Sequence, residues 1–154
     1  MKIVLVSIGK QQEASTKEAV QDFSQRITRY FPSEWKLITP SKATDPAQIK
    51  KQEAQLLLQL IQPDDYLVLL DERGKNISSP ELAQLIQDRA NESKKQLVFL
   101  IGGAYGVDPV IKQRANFTWS LSRLVFPHQL VRLILAEQIY RACSILRNEK
   151  YHHD

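Results

Sequence analysis

The sequence predicts one α/β domain with a mostly parallel sheet and helices on both faces. Strand-like and helix-like segments alternate along the chain, the pattern that parallel strands joined by crossover helices produce. Two strand candidates, Tyr66 to Leu70 and Leu97 to Ile101, are apolar at every position, as strands covered on both faces must be. No internal repeat or low-complexity linker divides the chain, and 43% apolar residues in 154 suit a single core over residues 1–154.

Taken in order, Lys2 to Ile8 is rich in Val and Ile and reads as a first strand ended by Gly9. Ala19, Val20, Phe23, Ile27, Tyr30 and Phe31 then recur at helical spacing opposite Lys17, Glu18, Gln21, Asp22 and Arg26, and Pro32 stops this helix. Trp35 to Thr39 gives a short second strand, and Pro40 to Thr44 a polar loop. Asp45-Pro46 is an N-cap followed by a first-turn proline, and Ile49, Glu53, Leu56, Leu57, Leu60 and Ile61 define the inward face of a second helix up to Pro63. The Tyr66 strand gives way to a charged loop, Asp71 to Lys75. Ser79-Pro80-Glu81 caps a third helix whose inward positions are Leu82, Leu85, Ile86 and Arg89-Ala90. The Leu97 strand, a short helix from Asp108 to Ala115 and a fifth strand from Phe117 to Leu121 follow. Beyond Pro127 the last helix is apolar nearly all round, so it needs cover on more than one side. The sheet supplies one side. A two-fold partner, or another part of the same chain, supplies the other.

Lysine plus arginine exceed aspartate plus glutamate by 21 to 17. That excess permits a nucleic-acid partner without demanding one. Lys112, Arg114, Arg123, Arg132, Arg141, Arg147 and Lys150 place the basic groups in the second half. No apolar run is long enough to span a bilayer, and the opening residues are too short for a signal peptide. The expectation is a soluble cytoplasmic protein without membrane contact. Cys143 is the sole cysteine, and two of the three histidines adjoin each other at the end of the chain, so no metal is expected.

The unusual chemistry is concentrated between Leu97 and His128. The Leu97 strand breaks into Gly102-Gly103-Ala104-Tyr105-Gly106, where glycine permits positive φ and close approach of a ligand to the main chain. A second loop, Leu121-Ser122-Arg123-Leu124-Val125-Phe126-Pro127-His128, follows the fifth strand. Ligands of open α/β sheets sit beyond the carboxyl ends of strands, so two such loops on neighbouring strands predict one pocket. The glycine run lacks the Gly-Lys-Ser/Thr ending of a phosphate loop, and it does not follow the first strand as a dinucleotide fingerprint does. Ser7-Ile8-Gly9-Lys10 is a poor phosphate anchor, and no Gly-x-Ser-x-Gly elbow is present.

Leu100-Ile101-Gly102-Gly103-x-x-Gly106, Leu121-Ser122, Phe126-Pro127-His128-Gln129-Leu130-Val131-Arg132, Glu137-Gln138-x-Tyr140-Arg141-Ala142 and Asn148-x-x-Tyr151-His152 occur in that order. Together they resemble the ribosomal RNA large subunit methyltransferase H family, a minimal branch of the SPOUT superfamily. The resemblance implies a trefoil-knotted α/β fold, a homodimer and S-adenosylmethionine as methyl donor. It implies methylation at N3 of a pseudouridine in the helix 69 loop of 23S rRNA, within the assembled ribosome. Pattern reading alone predicts an unknotted sheet, since threading is rare. By position, the donor contacts implied are Leu70, Gly102, Leu121, Ser122, Arg123, Leu124, Val125 and Phe126, with Arg123 and Val125 contributing main chain.

The target N3 carries a weakly acidic proton that must be removed, or its anion stabilised. His128 is the natural titratable group beside the pocket, and Arg132, Arg141, Tyr151 and His152 are placed to bind phosphate or steady the base. Plainer roles are open: His128 as a solvated first-turn residue, Arg132 as a surface group, Glu137 and Arg141 as an i,i+4 helix pair. For the tail from Asn148 to Asp154 the alternatives are a frayed end and a segment that closes over a pocket, its own or the partner's, and orders when donor or RNA binds. Two other functions compete: a non-enzymatic ribosome-associated RNA binder of the same fold, and an α/β nucleotide-binding or signalling module.

Overall fold

In the computed structural model, residues 1–9 and 13–153 are described; Lys10 and Asp154 lie outside them. The elements are β1 (Lys2–Ile8), α1 (Ala14–Ile27), β2 (Ser33–Ile38), α2 (Pro46–Leu60), β3 (Tyr66–Asn76), α3 (Ser79–Asn91), β4 (Gln96–Ile101), α4 (Pro109–Arg114), β5 (Phe117–Ser120) and α5 (His128–Leu146). The strands form one five-stranded sheet in the order β2-β1-β4-β3-β5, parallel at every pairing.

Alternate residues of a strand point to opposite faces, and here both faces are covered. Ile3, Leu5, Val68, Leu97, Phe99, Ile101 and Trp119 share one core with α3 and α5. Val4, Val6, Ile8, Leu67, Leu69, Val98 and Leu100 share the other with α2 and α4. The unbroken apolar runs of β3 and β4 follow directly from this double burial. On the first face α5 packs between α1 and α3 and buries Leu135, Ala136, Ile139, Ala142 and Cys143. Burial pushes the Cys143 thiol up to about 12, which leaves it an unreactive packing group.

Several local expectations need correction. The charged stretch from Asp71 to Lys75 is no loop but the continuation of β3, which shifts register after Leu70 and pairs again through Lys75 and Asn76 with Trp119 and Ser120. Gly74 makes the approach possible: a Cβ there would stand 2.6 Å from the Thr118 carbonyl oxygen. The cap of α3 is Ser78, whose hydroxyl accepts the Glu81 N–H while the Glu81 carboxylate accepts the Ser78 N–H, a capping box one residue earlier than the sequence suggested. Leu56 is 48% exposed; Ala54 takes the inward position beside Glu53 and Leu57. The caps at Asp45 and Asp108 stand as expected, each side chain accepting a first-turn N–H.

Candidate functional site

The carboxyl ends of β3, β4 and β5 open onto a cavity of about 430 Å³, within the range of small-molecule sites. The loop after β4 forms one wall with Gly102, Gly103, Tyr105 and Gly106, and the loop after β5 forms another with Leu121, Ser122, Leu124, Val125 and Phe126. Leu70, Asp71, Glu72 and Arg73 of β3 supply a third, and Lys112, Trp119 and His128 complete the lining. The Trp119 indole is fixed there by an edge-on contact with Phe99, 6.1 Å between ring centroids.

Of the expected donor contacts, Leu70, Gly102, Leu121, Ser122, Leu124, Val125 and Phe126 line this cavity together. Arg123 is exposed and does not line it. The glycines act differently from expectation. Only Gly106 of this loop has positive φ, +81°, and its N–H closes a turn onto the Gly103 carbonyl at 3.0 Å. Gly102 and Gly103 are required for space: a Cβ at Gly102 would meet Val107 Cγ1 at 2.7 Å, and one at Gly103 would meet Glu53 Oε1 at 2.8 Å. The second loop is held by its own serines, since Ser120 Oγ donates to the Ser122 carbonyl and Ser122 Oγ accepts the Leu124 N–H. Asn76, on the extension of β3, donates to the Ser120 carbonyl at 2.9 Å and so ties the two walls together.

His128 begins α5 half-buried against the end of β1, not as a solvated first-turn residue. Burial and then the Arg132 charge lower its pKa from the ordinary 6.5, while a hydrogen bond to the Ile8 main chain and the Glu53 charge oppose them. The ring is therefore held towards the neutral form, which can accept a proton. Arg132 lies one turn on with no exposed surface, which removes the surface-group reading. Its Nε donates to Ser7 Oγ at 2.8 Å, and a Cβ at Gly9 would stand 2.8 Å from its Nη2 and 3.8 Å from His128 Nδ1. Gly9 thus lets the end of β1 come against both side chains.

Tyr151 and His152 are elsewhere. The chain reverses after α5 with Asn148 at φ +55°, the left-handed conformation common at helix ends. It then lays Tyr151 against Tyr140, 4.7 Å between centroids, and under the Arg141 guanidinium. Tyr151 Oη donates to Glu137 Oε1 at 3.1 Å, Arg141 donates to the same oxygen at 2.6 Å, and Arg141 Nη1 meets His152 Nδ1 at 3.3 Å. The Glu137–Arg141 pair is therefore part of a larger cluster. Tyr151 and His152 are docked by these contacts and are not a frayed end. Arg141 lies thirteen residues along α5 from His128, about 20 Å at the helical rise, so this cluster is remote from the same chain's His128.

The basic residues of the second half serve separate purposes. Arg114 donates to the Gln62 and Asp65 carbonyls and staples the turn before β3, Arg132 is internal, and Arg141 is paired. Sequence reading missed three parts of the site: the charged wall of β3, Trp119 in the lining, and the buried carboxylate of Glu53 behind Gly103. Glutamate on an inward helix face was the one available signal. Among the described residues no group of three or more His, Cys, Asp or Glu is arranged to hold a metal ion, and no helix is long and apolar enough to cross a membrane.

A family model described as "Predicted SPOUT methyltransferase" matches residues 1–152. Ribosomal RNA large subunit methyltransferase H of Parabacteroides distasonis is 42% identical over 157 residues that cover 100% of both chains. The protein of that name from Cytophaga hutchinsonii is 42% identical over 99% of this chain and 100% of its own, and the one from Geobacter sp. (strain M21) 39% identical over the whole of both. With its trefoil-knotted α/β fold, the chain belongs to the SPOUT methyltransferase family, in the ribosomal RNA large subunit methyltransferase H branch.

Proposed function

We propose that this protein is a cytoplasmic homodimer that transfers a methyl group from S-adenosylmethionine to N3 of a pseudouridine in the helix 69 loop of 23S rRNA, in the assembled ribosome. The observation that carries the reading is the meeting of the Gly102 turn and the Leu121–Phe126 loop in one cavity with His128 in its lining. The chemistry of the cavity suits the donor. Main-chain groups of the two loops offer hydrogen bonds to an adenine, Leu70, Leu121, Leu124 and Phe126 offer apolar walls, and Asp71 and Glu72 offer negative charge to a cationic ligand. The bound donor supplies a methyl group made electrophilic by a sulfonium centre. The protein's part is to align the acceptor nitrogen and manage its proton. His128, held neutral, takes the N3 proton, and the permanent Arg132 charge behind it favours the anion left on the base.

A dimer is supported by what α5 leaves uncovered. Leu130 is exposed, Leu133 and Ile134 are half-covered, and Leu124 and Val125, in the loop that leads into α5, are 69% and 79% exposed. This apolar strip invites a second copy. The distance of Tyr151 and His152 from their own His128 supports a tail that completes the partner's pocket. A small domain gains selectivity from the shape of a large substrate, which favours a whole ribosome over bare RNA.

Calorimetry with S-adenosylmethionine, followed by methylation of ribosomes lacking the modification, tests the proposal. Wild-type protein should bind the donor saturably, and Gly102→Val, which drives a side chain into Val107, should abolish the heat. A wild-type protein that gives no heat would instead be an RNA binder of the same fold.

A further inference from the structure

A carboxylate lies behind the cavity, outside its lining. Glu53 projects from α2 into the core that also holds Ala54 and Leu57, and is 3% exposed. Its Oε2 accepts the Ser41 main-chain N–H at 3.2 Å. Its Oε1 fills the space over Gly103 that a side chain would need. Gly103, which Glu53 backs, lines the same cavity as His128, and the Glu53 charge favours the protonated ring there. Burying a carboxylate is costly unless other groups compensate its charge. One neutral N–H does not suffice, and an amide would fill the same space without that cost. The other charge acting on His128 is that of Arg132, which is wholly buried.

We propose that Glu53 is a positioning residue for the methyl-transfer site: its carboxylate buttresses the Gly102–Gly103 turn from behind and sets the charge environment in which His128 works. This rests on the reading of His128 as the group that takes the substrate's proton. Among the described residues, the charges acting on His128 are Arg132 from its own helix and Glu53 from α2, with the Ile8 main chain contributing from β1. Asp71, Glu72 and Arg73 of β3 and Lys112 of α4 share the cavity wall. Arg132 and Glu53 act in opposite senses. Glu53→Gln keeps the shape and removes the negative charge that acts against Arg132 at His128, so His128 must bind its proton more weakly.

The experiment follows the His128 imidazole by NMR through a pH titration, in wild-type protein and in Glu53→Gln, beside the pH profile of methylation. In Glu53→Gln the His128 midpoint should fall, and the acid limb of the profile should move the same way. Plateau turnover should drop by no more than about threefold, as the weaker base allows, while donor affinity by calorimetry stays near that of wild type. Glu53→Asp, which restores the charge, should bring the midpoint back towards wild type. If Glu53→Gln fails to fold, Gly103→Ala presses a methyl on Oε1 and should lower the midpoint by displacing the carboxylate. A folded Glu53→Gln or Gly103→Ala protein with an unmoved His128 midpoint overturns the proposal. The titration needs neither donor nor ribosome. A wild-type protein that fails to bind S-adenosylmethionine therefore counts against the methyl-transfer reading, while the coupling of Glu53 to His128 is judged separately.

Discussion

Arg132 Nε donates to Ser7 Oγ at 2.8 Å across 125 positions of sequence, and neither side chain reaches solvent. The bond fastens the start of α5 to the end of β1. Ser7→Ala removes one acceptor from a buried guanidinium and should cost about 1.5–3 kcal/mol, the range for hydrogen bonds to charged groups. Urea unfolding should show a lower midpoint with an unchanged slope. A midpoint equal to that of wild type would mean that the contact contributes nothing to stability.

The direction of the His128 shift fixes the sign of a pH effect. Its pKa lies below 6.5, by burial first and the Arg132 charge second, so the neutral ring predominates at neutral pH and is lost as the solution becomes acid. Methylation should rise with pH through a midpoint below 6.5 and level off above it. His128→Ala should remove that limb and lower turnover by about 10²-fold or more. An unchanged profile in the variant would exclude His128 as the base.

Gly74 predicts a coupling between sheet and pocket. Gly74→Ala forces a methyl against Thr118 and Trp119 main chain, at 2.6 to 2.9 Å, so β3 and β5 must separate. The expected cost is about 1–3 kcal/mol, as for overpacking elsewhere. Because Asp71 to Arg73 form a cavity wall, donor affinity by calorimetry should weaken with it. Thermal unfolding and binding that both match wild type would show that this edge of the sheet yields freely.

The docked tail invites a truncation. Removing residues 151–154 deletes Tyr151 and His152 from the Glu137–Arg141 cluster but touches none of the exposed apolar strip. Turnover on ribosomes should fall by about tenfold or more, while light scattering gives the same dimer mass. Retention of full turnover would leave the tail without a catalytic part.

Local rules written into the sequence determined most of the framework. Alternation of strand and helix dictates the parallel sheet, Asp45 and Asp108 announce their helices, and residue type alone marks the two peculiar loops. These features depend on neighbours a few positions apart, so a linear pattern records them. Tertiary structure decided what depends on partners far along the chain. Residues 71–76 became strand because β5 accepts them, Gly102 and Gly103 proved necessary for Val107 and Glu53, and Arg132, for which a site role and a surface role were both open, became a buried tie to Ser7. The same holds for Glu53, an inward-facing helix glutamate by spacing, whose partner appears only when α2 is laid against the turn after β4. Sequence fixes which groups are available; packing brings two of them close enough for one to change the other.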